Sequence, residues 1–297
     1  MERASRAQVW GAMLLISLGW GTNGVVVRVA FDAGMEPLAV VAISSVIAAI
    51  GVVAFVALSG RDRTIGAIGW RVGIVMSITS VTVPFITRNL ALQYASAGFV
   101  GLASALVPLA TGVVAHVMLP EERLQAATLI GLLISLAGVA VLILSGDSGL
   151  AEGGNPALAG VLALAGVLSV AVGAVYAKRY SGRYSPLGVS GVQFVIGAAV
   201  GIVAMLAFEG VPANPGAKGW ASLTYVGLAA TFMPIALYYW LLRHVTVTFS
   251  AITGYIIPLV AVVFGVIVLG ERVDLGIVIG GVLILTGVVV TDRIAGR

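Results

Sequence analysis

Apolar residues in this chain are gathered into long uncharged runs and do not alternate with polar ones. Val9 to Val27, Leu38 to Gly60 and Leu275 to Thr291 carry no charge at all. Each run is close to the roughly 20 residues needed to cross hydrocarbon. A helix is the expected conformation, since it pairs every backbone polar group within its own segment. Taking runs bounded by charge, Pro or Gly predicts spans at 8–28, 37–59, 67–88, 97–119, 125–145, 158–178, 187–208, 220–242, 247–269 and 275–291.

The second half of the chain repeats the first. At an offset of 149 to 150, Pro37-Leu38 falls on Pro186-Leu187, Trp70 on Trp220, Pro84 on Pro234 and Pro108 on Pro258. With one residue gapped, Glu122-Arg123 falls on Glu271-Arg272 and Gly138 on Gly287. In-order matches through five spans indicate duplication. An odd number of spans per copy inverts the second copy in the bilayer. The expected fold is all-α and integral to the membrane: ten transmembrane helices as two inverted five-helix repeats, residues 1–146 and 157–297, joined by a linker at 147–156.

Composition agrees: 60% of the residues are hydrophobic, 9% are charged and the mean hydropathy is +1.12. The 39 glycines suit a tightly packed membrane bundle, where small residues let backbones approach. With no cysteine, disulfides, thiolate metal ligation and cysteine nucleophiles are excluded. Placing the N-terminus in the cytoplasm puts twelve Lys and Arg inside and leaves Arg28, Arg88, Lys218 and Arg272 outside, so both termini are expected in the cytoplasm of a cell (inner) membrane. The net charge of +4 is then assigned to anionic lipid headgroups and not to nucleic acid.

Two segments carry a family resemblance. SAGFVGLASALVPL (Ser96 to Leu109) leads to EERL (Glu121 to Leu124), and SAITGYIIPLVAVVFG (Ser250 to Gly265) leads to GER (Gly270 to Arg272). Trp20-Gly21 in the first span and the glycine-rich stretches Gly131 to Gly138 and Gly280 to Gly287 complete the pattern. In this the chain resembles the EamA-type transporters of the drug/metabolite transporter superfamily. The resemblance implies a secondary exporter working by alternating access around a central cavity, with amino acids or related metabolites as cargo. A lipid flippase of the same fold and a multidrug exporter are the alternatives.

Inverted repeats tend to hold substrate where helices are interrupted near the midplane. Pro84, Pro108, Pro234 and Pro258 are therefore expected hinges. Pro108 and Pro258 withdraw the donor for the carbonyls of Ser104 and Gly254. Candidate substrate contacts are Trp20, Asn23, Ser80, Arg88, Ser104, Thr111, Tyr176, Tyr238 and Tyr255. By helical spacing Ser77, Ser80, Pro84 and Arg88 share one face of the third span, and Ser169, Gly173, Tyr176 and Tyr180 share one of the sixth. For each, helix packing is the competing role, and for Arg88 snorkelling to headgroups. Glu121, Glu122, Arg123, Glu271 and Arg272 are read as local pairs capping the helices that follow them.

No Asp or Glu lies in the central part of any predicted span, so facilitated diffusion or weak coupling is expected rather than proton exchange. No cofactor or metal is expected, and no enzymatic activity, because neither metal-ligand spacing nor paired carboxylates at membrane depth occur. Gly197 to Gly201 and Gly276 to Gly280 have GxxxG spacing, read as contacts within one chain and hence a monomer. The expected partners are a small-molecule substrate and membrane lipids.

Overall fold

The computed structural model describes residues 5–58, 65–119, 126–145, 148–150, 154–241, 244 and 252–295. Within them are ten helical spans: α1 (Arg6–Asp32), α2 (Pro37–Leu58), α3 (Ala67–Tyr94), α4 (Ala97–Met118), α5 (Ala126–Leu144), α6 (Pro156–Arg179), α7 (Pro186–Phe208), α8 (Gly216–Gly227, Leu228–Phe232 and Met233–Leu241), α9 (Ile252–Leu269) and α10 (Leu275–Ala295). Seven of these have both the length and the hydropathy to cross a membrane, and the apolar cores of α5, α9 and α10 are shorter.

The starts are specified locally. Ser5 and Gln8 close a capping box on α1, Ser96 caps α4 through the N–H of Phe99, and Asn155 and Ser185 cap α6 and α7 ahead of Pro156 and Pro186. After α1 the chain turns at Gly34 with φ 85°, a left-handed conformation that favours a residue without a side chain.

Three predicted ends fall short: α10 runs on to Ala295, and α1 and α3 do not stop at their arginines. Arg28 donates to the carbonyl of Leu92 at 2.6 Å, and the Arg88 guanidinium lies over the Phe85 ring, so protein replaces water around both and the helices run on to Asp32 and Tyr94.

The halves interlock. α1 packs on α8 and α9, and its counterpart α6 packs on α3 and α4. Equivalent helices also meet directly, α2 with α7, α4 with α9 and α5 with α10, and α2 and α7 pack further on α8 and α3 respectively. In the last pair a side chain at Gly138 would fall 2.6 Å from the carbonyl of Gly280, and Ser135 donates to Ile284 at 3.0 Å. Gly197 and Gly201 likewise pack inside the chain, against Val81 and Ala42. Outward positions such as Ile50, Leu133, Val203 and Ile267 are more than half exposed, as a lipid-facing surface requires.

Alternation of the spans gives two faces, one bearing the start of α1 and one opposite. On the opposite face the turns are knitted together: Ser96 N–H donates to Ser148, Asn155 N–H to Tyr94 and Arg272 N–H to Gly149. Two carboxylates from the second half cap helices of the first. Glu209 accepts from the backbone N–H groups of Leu38 and Ala39, both at 2.8 Å, at the start of α2. Glu271 accepts from Ala97 at 2.6 Å and Gly98 at 3.3 Å at the start of α4. This corrects the local role expected for Glu271: the absence of a side chain at Gly265 lets its carboxylate turn back across the repeat interface and not toward α10. Glu121, Glu122 and Arg123 lie outside the described residues.

Candidate functional site

Proline at 84 or 234 cannot donate a backbone hydrogen bond, and each helix answers by widening. Ser77–Thr82 in α3 and Leu228–Phe232 in α8 are π-helical, with Val83 N–H donating to Ile78 and Met233 N–H to Leu228, five residues back. The two segments occupy matching places in the two repeats. Each leaves carbonyls that the helix itself no longer pairs.

Side chains from the partner half take them up. Ser169 of α6 donates to the carbonyl of Thr79 at 2.9 Å, and Asn23 of α1 donates through Nδ2 to the carbonyl of Ala230 at 3.3 Å. Thr82 returns its own hydroxyl to Ser77 at 2.8 Å. The repeat swaps the roles of equivalent positions. Gly19, aligned with Ser169, lies where a side chain would come within 2.5 Å of the Ala229 carbonyl, and Gly173, aligned with Asn23, lies against Thr79 and Ser80. The Asn23 Oδ1 is buried and has no partner among the described residues.

Around each π-helical segment the candidate residues separate into two clusters. On α1 and α8, Trp20 and Tyr238 meet with ring centroids 5.7 Å apart, and Thr22 shares a 2.9 Å hydrogen bond with Tyr225. On α3 and α6, Ser80 faces Gly173 and Thr87 faces Gly166, while Tyr176 packs on Tyr180 at 5.2 Å nearer the face that bears the start of α1. Ser77 is fully buried and returns its hydroxyl to the carbonyl of Ile74 at 2.7 Å, while the Ser80 hydroxyl faces Gly173 of α6.

The prolines of α4 and α9 behave differently from one another. At Pro108 the helix breaks: Ala105 and Leu106 donate three residues back, and Val107–Met118 begins a new helix. Pro258 sits inside an unbroken helix. Ser104 and Thr111, on either side of the break, return their hydroxyls to Val100 at 2.9 Å and Val107 at 2.8 Å. The side chain of Tyr255 lies outside the described residues.

Sequence reasoning did not single out Thr79, Thr82 or Glu209. The cluster of hydroxyls at 77, 79, 80 and 82 just before Pro84 was the available signal for the first two.

Ten apolar helical spans among the described residues, built as two inverted repeats with π-helical segments before Pro84 and Pro234, define a multi-pass helical membrane protein. The sequence profile of the EamA-like transporter family matches residues 9–144 and 157–291, and the chain belongs to that family, within the drug/metabolite transporter superfamily. It is similar to the uncharacterized inner membrane transporter YedA of Escherichia coli strain K12, with 25% identity over 291 residues, covering 94% of this chain and 90% of that one. The uncharacterized transporters YvbV and YetK of Bacillus subtilis strain 168 are 25% and 28% identical; YvbV spans 74% of this chain and 70% of its own, YetK 73% and 66%. A solved crystal structure superposes over 99% of both chains with a TM-score of 0.66 at 20% identity, showing the same fold. This chain is a membrane transporter.

Proposed function

We propose that this transporter is a secondary exporter of small zwitterionic or neutral metabolites, amino acids first, whose two halves rock about the π-helical segments of α3 and α8. The observation that carries the reading is the pairing of those segments. Backbone carbonyls at membrane depth, freed at equivalent places, are held by single hydrogen bonds from the opposite half. Such bonds can be exchanged for contacts to a solute. The Trp20–Tyr238 pair and the unpartnered Oδ1 of Asn23 supply a stacking wall and an acceptor beside one of them.

No Asp or Glu lies in the interior of any described span, which favours a uniporter or a weakly coupled carrier over a proton antiporter. Both termini are assigned to the cytoplasm on the distribution of basic residues.

Counterflow into proteoliposomes is the test. Vesicles preloaded with one unlabelled solute from a panel of amino acids, nucleobases and cationic drugs are diluted into the labelled form. Accumulation above empty vesicles for an amino acid supports the reading, and accumulation of cationic drugs alone would replace it with a multidrug exporter.

A flippase is favoured by one feature, an apolar groove of about 380 Å³ on the membrane surface between α2, α3 and α7, lined by Val53, Trp70, Val192 and Val195 among others. Scrambling of a fluorescent phospholipid by the same proteoliposomes distinguishes it.

A further inference from the structure

One charged group inside the bundle has no counterpart in the other repeat. Arg88 aligns with Tyr238 and stands six residues before the end of α3, about 9 Å inside it at the rise of an α-helix. Its side chain does not extend toward the near membrane surface. The guanidinium carbon lies 5.1 Å from the centroid of Phe85, three residues back, so the charge is directed toward the middle of the bilayer. Snorkelling requires the opposite direction.

Among the described residues the cation is also unpaired. Its Nε is shut off from solvent with no hydrogen-bond partner, and no hydrogen bond or ion pair joins Arg88 to any described residue. The helices packed against α3 offer no counter-ion at its depth. α2, α4 and α7 contain no acidic residue, α6 contributes only Lys178 and Arg179 at its far end, and the one acid of α1 is its last residue, Asp32. The other nearby cation, Arg28, is engaged by the Leu92 carbonyl. The Phe85 ring covers one face of the guanidinium.

A lone charge at this depth is costly unless something pairs with it, and an intramembrane guanidinium presents a planar fork of donors that fits a carboxylate with two parallel hydrogen bonds. One free cation balances a monoanion, which a carboxylate is and a phosphate monoester is not. We propose that Arg88 binds the carboxylate of the transported solute, making this carrier selective for carboxylate-bearing metabolites over amines and nucleobases of similar size. The proposal rests on the transport reading and narrows its substrate class.

The test uses the full-length protein. Thermal shift in detergent and counterflow in proteoliposomes are run with amino acids, their decarboxylated amines, their carboxamides and a phosphate monoester, for the wild type, Arg88→Lys and Arg88→Gln. The expected result is stabilisation and counterflow by the amino acids and not by the amines or carboxamides, with affinity lost at least about tenfold in Arg88→Gln and partly kept in Arg88→Lys. Equal binding of amines or carboxamides by the wild type overturns the proposal even if neither variant folds. So does undiminished amino-acid binding by Arg88→Gln, or a preference for the phosphate monoester. If no solute counterflows, the transport reading itself fails. If amines or nucleobases counterflow while carboxylates do not, transport stands and the role of Arg88 falls.

Discussion

Ser169 donates its hydroxyl to the carbonyl of Thr79 at 2.9 Å, joining α6 to the π-helical part of α3 across the repeat boundary. Asn23 and Ala230 repeat the connection between α1 and α8 at 3.3 Å. Interhelical hydrogen bonds in membranes average well below those in water-free models, so Ser169→Ala and Asn23→Ala should each lower stability by about 1 kcal/mol. Because the two bonds share no partner, the double variant should lose close to the sum. Unfolding in mild detergent checks both, and no change in either would mean that the freed carbonyls are satisfied elsewhere.

The α5–α10 contact leaves no room for a methyl group. A side chain at Gly138 would sit 2.6 Å from the Gly280 carbonyl, and one at Gly280 would sit 2.8 Å from the Gly138 carbonyl. We expect Gly138→Ala and Gly280→Ala to destabilise by about 1–3 kcal/mol, the cost of overpacking, while Gly11→Ala, inside α1 with open space around it, does not lower the melting temperature.

Glu209 holds two backbone N–H groups of the first turn of α2, so Glu209→Ala should cost about 1 kcal/mol, in the range of a lost N-cap. Hydrogen exchange localises the effect: the amides of Leu38 and Ala39 should lose protection before the rest of α2.

Glu271 should give a pH signature. Burial raises its carboxyl above the ordinary range, and this outweighs the downward pull of the Ala97 and Gly98 N–H groups and of Arg28. The folded protein then keeps a proton that the unfolded chain has lost. The contribution of this group to stability is full below the ordinary glutamate value and declines as pH rises through the raised one. A melting temperature followed from pH 4 upward should carry this slope, and Glu271→Gln should remove it.

Much of this was legible in the sequence because it is periodic or local. Uncharged runs marked the spans, and three of the four matching prolines marked where helices depart from regular α geometry. What followed from those prolines was not legible. Pro84 and Pro234 widen their helices, Pro108 breaks one and Pro258 is absorbed, although all four interrupt apolar helices in the same way. The outcome depends on what the neighbouring helix offers: a hydroxyl at Ser169, an amide at Asn23. The partners of Glu271 and Glu209 were hidden for a related reason, since both reach backbone groups 170 to 174 residues away in the chain.

The proposed rocking of the two halves is tested most directly by solvent access to the middle of the bundle. The chain has no cysteine, so Ser80→Cys and Ser104→Cys each introduce a single thiol, on α3 and α4, in an otherwise unreactive protein. A membrane-impermeant maleimide applied to oriented vesicles from one side and then the other should label each thiol from both sides, with an added substrate shifting the ratio. Labelling from one side alone under every condition, or from neither, would contradict alternating access about these segments.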